Sequence, residues 1–207
     1  MKKYVQTMQY WEEITTNTNN YIIVITGLGG QGLIRFLRIL GSSLVKKGYK
    51  VITSEKHGLS QRGGNVTCFL RFGEKMVAPI PIIGSADMII ATEKACILDV
   101  LEYAKLDRSS KLIVATYEKK SQINDYPSEE YLLKVLNEIS DYINFIPVME
   151  IVAKFTNLKI INTIILGYIL RFLPISEEFI NESINQHFAG DLLVLNQKAF
   201  EEGRDLK

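Results

Sequence analysis

Hydrophobic positions along the chain follow two alternating patterns. Continuous apolar, β-branched runs predict strands buried on both faces, and the first of them is Tyr21–Thr26. Segments with apolar residues at every third or fourth position predict helices, as in Gly32–Lys47. Because strands and helices alternate along the chain, we expect an α/β fold with a doubly wound, mostly parallel, Rossmann-like sheet.

The same patterns place the remaining elements. Further strands are predicted at 49–54, 66–72 with a short extension at 76–79, 87–92, 111–116 and 142–147. Helices are predicted at 93–105 and 128–140, and then in a helical C-terminal region at 160–173, 176–187 and 191–202. The chain therefore divides into one domain over 21–207 and an N-terminal extension over 1–20.

The extension differs in composition from the domain. It ends in the polar tract TTNTNN, whereas Tyr4, Val5, Met8 and Trp11 fall at helical spacing before it. We interpret it as a short helix packed on the domain or a frayed terminus, in preference to a partner-binding arm.

Composition excludes several classes of function. Hydrophobic residues make up 47% of the 207, and the net charge of +1 provides no basic field for nucleic acid. The N-terminus has no apolar segment typical of a signal peptide. The most apolar run, 160–173, is shorter than the roughly 20 residues of a membrane span. We therefore expect a cytoplasmic protein that binds neither nucleic acid nor membrane.

The supply of metal-binding side chains is small. The chain has two cysteines, Cys68 and Cys96, and two histidines, His57 and His187. An iron–sulfur cluster usually needs four thiolates, and structural zinc usually needs four Cys or His ligands. We therefore expect no metal site in this chain alone, and we interpret both cysteines as buried free thiols.

A glycine-rich loop joins the first predicted strand to the first helix. The sequence GLGGQG places Gly27, Gly29 and Gly32 in a G-x-G-x-x-G pattern. In such loops the first glycine permits a tight turn, the second allows close approach of a ligand, and the third allows helix and strand to pack closely. The free amides at the start of the helix favour an anion. A dinucleotide site also needs an acid after the second strand, which Glu55 matches loosely, so a simple strand-to-helix turn remains open.

A second polar loop follows the second predicted strand, with the sequence EKHGLSQRGG. In a parallel sheet it lies at the same carboxyl edge as the glycine loop. Its candidate ligand-binding residues are Ser60, Gln61, Arg62, Gly63 and Gly64. They could clamp a phosphate or carboxylate, contact the backbone of a partner, or form a solvated turn.

Several motifs in order along the chain resemble one family. GLGGQG, EKHGLSQRGGNV, LRFG, a proline-containing stretch leading to GSAD, and a Thr-Glu pair resemble the γ-type domain of 2-oxoacid:ferredoxin oxidoreductases. The HGLSQRGG form is most similar to the β subunit of the indolepyruvate type. The resemblance extends to about residue 203, through Asn162, Leu166-Gly167, Pro174, Glu177-Glu178, Asn196, Ala199-Phe200 and Gly203.

The resemblance implies a catalytically incomplete subunit without catalytic residues of its own. Thiamine diphosphate, Mg and [4Fe-4S] clusters are then expected in a large α subunit, with coenzyme A as co-substrate and ferredoxin as electron acceptor through the complex. We expect a heterodimer or a dimer of heterodimers. The loops 27–32 and 57–64 are expected to face the large subunit. The expected contact residues are Gly27, Gly29, Gly30, Gln31, Gly32, Ser60, Gln61, Arg62, Gly63 and Gly64, with Arg62 as the leading anion contact.

For three other polar residues we expect structural roles. Asp87 and Glu93 are interpreted as capping residues, and His57 as a hydrogen-bonded loop residue rather than a proton shuttle. Two alternatives stay open for the function. One is a stand-alone Rossmann-like nucleotide-binding module, supported by the glycine loop and Glu55. The other is the same enzyme class acting on pyruvate or 2-oxoglutarate.

Overall fold

A computed structural model describes residues 20–57, 64–74, 78–120 and 125–207. Within these ranges a single sheet has the order β2-β3-β1-β4-β5-β6. The strands are β1 (Tyr21–Leu28), β2 (Lys50–His57), β3 (Asn65–Gly73), β4 (Met88–Ala91), β5 (Lys111–Ala115) and β6 (Tyr142–Ile146). The predicted extension over 1–20 lies outside the described residues except for Asn20.

Most neighbouring strands of the sheet are parallel. The pairs β1–β4, β4–β5 and β5–β6 are parallel, which confirms the predicted mostly parallel α/β fold. β3 is antiparallel to both β1 and β2 and lies between them. The reason is the length of the connection, because a parallel pair needs a crossover of about a dozen residues or more. Only residues 58–64 join β2 to β3, so these two strands pair as a hairpin.

β1 contributes to a hydrophobic core on each face of the sheet. Ile23 and Ile25 belong to the core beneath the C-terminal helices, whereas Ile22 and Val24 belong to the core on the opposite face. Successive side chains of a strand point to opposite faces, so a strand covered on both sides must be apolar throughout. This requirement explains the uninterrupted apolar run that predicted β1.

The described helices are α1 (Leu33–Lys47), α2 (Glu129–Ile139), α3 (Val148–Phe155), α4 (Ile161–Ile169), α5 (Glu177–His187) and α6 (Gly190–Asp205). Four details differ from the predictions. The helix predicted at 93–105 is a 3-10 helix over Ala95–Tyr103, and α3 was not predicted. The helix predicted at 160–173 is divided into α4 and a 3-10 turn at Leu170–Phe172. Of the extension predicted at 76–79, residues 78 and 79 are not in a strand, and the others lie outside the described residues.

The C-terminal helices pack closely on one another. α4 and α6 cross with Gly167 facing the backbone of Phe200 and Gly203 facing the backbone of Ile164. Each glycine therefore removes the side chain that would separate the two helices. No helix in the described part of the chain is long and apolar enough to cross a bilayer.

Candidate functional site

The glycine loop lies beside Gly64, the last residue of the polar loop, at the carboxyl end of β1. Leu28 pairs with Asn65 of β3, so the first residues of β3 lie alongside the last residues of β1. Beyond this pair, the backbone N–H of Gly29 donates a hydrogen bond to the carbonyl of Gly64 at 2.9 Å. The end of the polar loop is thereby joined to the glycine loop. Ser60, Gln61, Arg62, Gly63 and the side chain of His57 lie outside the described residues, so their predicted roles stay predictions.

The glycines serve other purposes than the ones predicted from the pattern. Gly27 lies within β1 instead of in a turn, and a Cβ there would stand 2.0 Å from Thr92 Oγ1. Gly32 is the N-cap of α1 with φ of 82°, a left-handed conformation that favours glycine. The atom nearest to a Cβ at Gly32 would be Asn162 Nδ2, at 3.5 Å. Asn162 lies in α4, so Gly32 does not serve to bring a helix close to a strand. Gly27 thus makes room for a side chain, and Gly32 permits a backbone conformation.

Gln31 links the glycine loop to the rest of the domain. Its Oε1 accepts a hydrogen bond from the backbone N–H of Leu28 at 2.7 Å and lies 3.0 Å from the Thr92 hydroxyl. Its backbone carbonyl accepts from Asn162 Nδ2 at 2.7 Å. Gln31 was predicted as a ligand contact, but its side-chain oxygen is already used within the chain. Thr92 and Asn162 were not predicted as members of this site, since no local pattern connects them to Gln31.

Replacing Gln31 with leucine is expected to lower the free energy of unfolding by about 1–3 kcal/mol. The change keeps a side chain of similar length but leaves the buried Leu28 N–H without its acceptor and removes the nearer of the two acceptors of the Thr92 hydroxyl. The matched control is Gln31→Glu, which keeps an acceptor oxygen and adds a charge that the start of α1 tolerates. Urea unfolding of the full chain measures both, and equal losses in the two variants would contradict the role of Oε1.

The position of Glu55 disfavours a dinucleotide site of the usual kind. That site places the acid at the end of a strand adjacent to the glycine-loop strand. Here β3 lies between β1 and β2, so β2 is two strand spacings, about 10 Å, from β1. Glu55 also lies inside β2, opposite Cys68, and not beyond its end.

Glu93 holds together the segment that follows β4. Its Oε2 accepts hydrogen bonds from the N–H groups of Ala95 at 2.8 Å and Cys96 at 3.1 Å. Its Oε1 accepts from the N–H of Lys119 at 3.1 Å and the hydroxyl of Tyr126 at 2.8 Å. The side chain is fully buried, and its bonds to the first N–H groups of the 3-10 helix agree with the predicted role at a cap or helix start. Burial, and then the neighbouring Glu93 carboxylate, raise the pKa of Tyr126.

Asp87 also has a structural role. Its Oδ2 accepts a hydrogen bond from the N–H of Ile22 at 2.7 Å, and its other oxygen pairs with Lys105. Asp87 therefore fixes the amino end of β1, which is the edge of the sheet opposite the glycine loop.

Both cysteines are buried free thiols, as predicted. Burial raises the pKa of Cys68 to about 12, and burial together with Glu93 raises the pKa of Cys96. Both thiols are therefore protonated at neutral pH, and a protonated thiol is a poor nucleophile. Within the described ranges, no three His, Cys, Asp or Glu side chains are grouped closely enough to hold a metal ion.

The sequence and fold match known proteins over most of the chain. The family model of pyruvate ferredoxin/flavodoxin oxidoreductase matches residues 22–206. The indolepyruvate oxidoreductase subunit IorB of Thermococcus kodakarensis is 30% identical over 189 residues, covering 88% of this chain and 94% of the relative.

Two solved structures share the fold. The pyruvate oxidoreductase subunit PORC of Thermotoga maritima superposes with a TM-score of 0.65 at 19% identity, covering 89% of this chain and 95% of that chain. A 2-oxoglutarate:ferredoxin oxidoreductase of Magnetococcus marinus, solved with 2-oxoglutarate, coenzyme A and succinyl-CoA bound, gives a TM-score of 0.70 at 19% identity. The match covers 90% of this chain but only 30% of that longer chain. The relatives are subunits of oxidoreductases, and this chain belongs to the pyruvate ferredoxin/flavodoxin oxidoreductase family as a small subunit of the γ type.

Proposed function

We propose that this chain is the small subunit of a thiamine-diphosphate-dependent oxidoreductase that acts on indolepyruvate and related arylpyruvates. The substrate follows from the indolepyruvate relatives and from the HGLSQRGG run. In this reaction the 2-oxoacid loses carbon dioxide, its acyl group forms a thioester with coenzyme A, and two electrons pass to ferredoxin with release of one proton. Thiamine diphosphate supplies the decarboxylation chemistry when bound, and we place it with Mg and the [4Fe-4S] clusters in the large subunit.

The observation that carries the proposal is the hydrogen bond between Gly29 and Gly64, which joins the end of the polar loop to the glycine loop. The shape of the glycine loop itself depends on Gln31. A rigid edge of this kind suits a surface that completes the active site of a partner, because an active-site wall must keep its geometry. We therefore propose that loops 27–32 and 57–64 contact the large subunit near thiamine diphosphate or coenzyme A.

The proposal is tested by isolating the chain with its natural partner. A tagged chain is expected to co-purify with a larger subunit containing iron, sulfide and thiamine diphosphate. The complex is expected to reduce viologen with indolepyruvate only when coenzyme A is present. Activity with pyruvate or 2-oxoglutarate but not with arylpyruvates would overturn the proposed substrate and would leave the proposed enzyme class unchanged. A lone, colourless protein would overturn the subunit role.

Replacing Arg62 with alanine is expected to raise the Michaelis constant for coenzyme A or for the oxoacid about tenfold or more. A guanidinium that binds an anionic group contributes a charge-assisted hydrogen bond, and the loss of one costs about a factor of ten in affinity. The control is Lys134→Ala, which removes an exposed cation from α2 on the other face of the sheet. Unchanged Michaelis constants for both substrates, with intact assembly, would remove Arg62 from the proposed site.

The second candidate is a nucleotide-binding module that acts alone. It is favoured only by the glycine loop, and the separation of β1 from β2 by β3 argues against it. A rise in melting temperature with NAD, NADP or FAD would support it, because a ligand that binds the folded state stabilises that state.

A further inference from the structure

An exposed apolar patch lies on the segment that leads into β4. Ile80, Ile82 and Ile83 are 55%, 80% and 64% exposed, whereas Pro81 between them is buried. Single exposed apolar side chains are common on protein surfaces, but a contiguous group of them marks a surface that another segment or another molecule covers. We call Ile80, Ile82 and Ile83 the apolar patch.

Hydrogen bonds on both sides hold the apolar patch in this outward orientation. Before it, the Ser54 hydroxyl donates to the carbonyl of Pro79 at 2.8 Å. After it, the N–H of Gly84 donates to the carbonyl of Glu102 at 3.0 Å. The side chain of Pro81 already fills the inward position between these two points. The isoleucines are therefore buried only if something packs on top of them.

The N-terminal extension joins the domain beside the apolar patch. The buried guanidinium of Arg71 connects the two places, because its Nε lies 3.4 Å from Asn20 Oδ1 and its Nη1 donates to the carbonyl of Ala78. Asn20 is the last residue of the extension, and Ala78 lies two positions before Ile80. Since one guanidinium contacts both residues, the extension enters the domain directly beside the segment that carries the patch.

The extension has an apolar face of a suitable length. Tyr4, Met8, Trp11 and Ile14 are spaced by four, three and three residues, which corresponds to one face of a helix. A helix over the 11 residues 4–14 would be about 16 Å long. Residues 79–83 extend over at most about 17 Å, so the two lengths are comparable. The polar residues 15–19 can also span up to about 17 Å, which is enough to turn such a helix back over the patch.

Two arguments favour the extension over the large subunit as the occupant. The family match begins at residue 22, so the extension lies outside the part of the chain that the family shares. The patch begins near the amino end of β1, where Arg71 pairs with Ile22, whereas the loops proposed to face the large subunit lie at its carboxyl end. The extension is also attached to the domain, and a short linker gives an attached segment a local concentration of about millimolar.

We propose that residues 4–14 fold back as an amphipathic helix and pack Met8 and Trp11 on the apolar patch. The helix removes the three isoleucines and its own apolar face from water at the same time. The chain thereby closes this surface itself, and the carboxyl edge of the sheet is left as the face for the large subunit. The proposal does not depend on which oxoacid the enzyme uses.

Tryptophan fluorescence of the full chain tests the proposal. Trp11 is the only tryptophan in the sequence, so its emission reports the surroundings of the extension. In the folded chain we expect emission at shorter wavelength than in the chain unfolded in urea. The double variant Ile82→Asp/Ile83→Asp is expected to move the emission to the unfolded wavelength and to raise acrylamide quenching about twofold or more, because an unpaired carboxylate cannot be buried against Trp11 without a large cost.

Two further variants serve as controls, with far-UV circular dichroism as the check on folding. Leu192→Asp/Val194→Asp places two carboxylates on exposed apolar positions of α6, on the face of the sheet that the C-terminal helices cover, and is expected to leave the emission unchanged. Met8→Asp alters the extension alone and is expected to shift the emission as the patch variant does. Combining Met8→Asp with the patch variant is expected to give no further shift, since substitutions that remove the same contact are not additive.

Four outcomes would overturn the proposal. One is emission of the folded chain at the unfolded wavelength, and another is emission at shorter wavelength that the patch variant leaves unchanged. Emission that moves to longer wavelength on dilution would assign the patch to the extension of a second copy. Loss of the large subunit from the tagged patch variant, with Trp11 emission unchanged, would assign the patch to that subunit. No substrate is present in these measurements, so failure here is distinguishable from failure of the proposed function.

Discussion

Gly167→Ala is expected to destabilise the protein by about 3 kcal/mol, because the new methyl group has no space between α4 and α6. A Cβ at Gly167 would stand 2.1 Å from the carbonyl oxygen of Phe200 and 2.7 Å from the backbone nitrogen of Arg204. Both atoms belong to backbone, so no side-chain rotation relieves the overlap and the helices must separate. Overpacking commonly costs about 1–3 kcal/mol and occasionally more. Because the overlapping atoms are backbone on a packed helix, we expect a cost above that range, and the gain of about 1 kcal/mol from replacing a helical glycine leaves a net loss of about 3 kcal/mol.

Gly41→Ala is the matched control for this prediction. Gly41 also lies inside a helix, but its Cβ would meet only side-chain carbons of Thr53, Val51 and Leu70 at 3.7–3.9 Å, which are ordinary contacts. Here helix propensity decides the sign, and we expect the variant to be more stable by up to about 1 kcal/mol. Urea unfolding of the full chain, followed by far-UV circular dichroism, measures both variants. Equal stability of the Gly167 variant and the unmodified protein would contradict the close crossing of α4 and α6.

Glu93→Ala is expected to cost a similar amount, about 3 kcal/mol, through unsatisfied hydrogen bonds rather than through overlap. The carboxylate accepts four hydrogen bonds while fully buried, from Ala95, Cys96, Lys119 and Tyr126. Each buried donor left without an acceptor costs about 1–3 kcal/mol, and water entering the cavity recovers part of that cost. The loss is expected to loosen the segment after β5 from the 3-10 helix.

Glu93→Gln separates the acceptor role from the side-chain volume. It keeps the size and one carbonyl oxygen, so we expect a smaller loss of stability than in the alanine variant. It also removes the carboxylate that contributes to the raised pKa of Tyr126, so that tyrosine is expected to ionise at lower pH than in the unmodified protein. Urea unfolding of the full chain measures this variant beside Glu93→Ala. Unchanged stability in both variants would show that Glu93 does not hold the two segments together.

Gln31 and Glu93 both support the carboxyl edge of the sheet from within. Each uses a side-chain oxygen to satisfy backbone N–H groups near the end of a strand: Gln31 accepts from the last residue of β1, and Glu93 accepts from residues that follow β4. Loops with this internal support can present a fixed surface to a partner while their own polar groups stay satisfied. The edge proposed to face the large subunit is thus built by residues that do not need to touch the ligand.

The sequence by itself determined the class of fold and the family. The apolar run of β1 and the periodicity of α1 were sufficient to predict an α/β fold. A strand buried on both faces is apolar throughout and a helix buried on one face is apolar at every third or fourth position, so both patterns can be read from a short stretch of sequence. The cysteine and histidine counts were likewise sufficient to expect no cluster in this chain alone. The co-linear motifs identified the family because several spacings matched together.

Only the tertiary structure decided what the loop residues do. Gln31 and Asn162 are 131 positions apart, and no local pattern indicates that the Asn162 side chain donates to the backbone carbonyl of Gln31. The helix predicted at 160–173 gave no indication that α4 and α6 approach closely at Gly167. The hydrophobic pattern shows which residues are apolar, but it does not show how close two backbones approach. A cavity of about 620 Å³ also joins residues from α1, α4 and the α5–α6 turn. Contacts between distant segments depend on how the helices pack on the sheet, and this packing is a property of the whole chain.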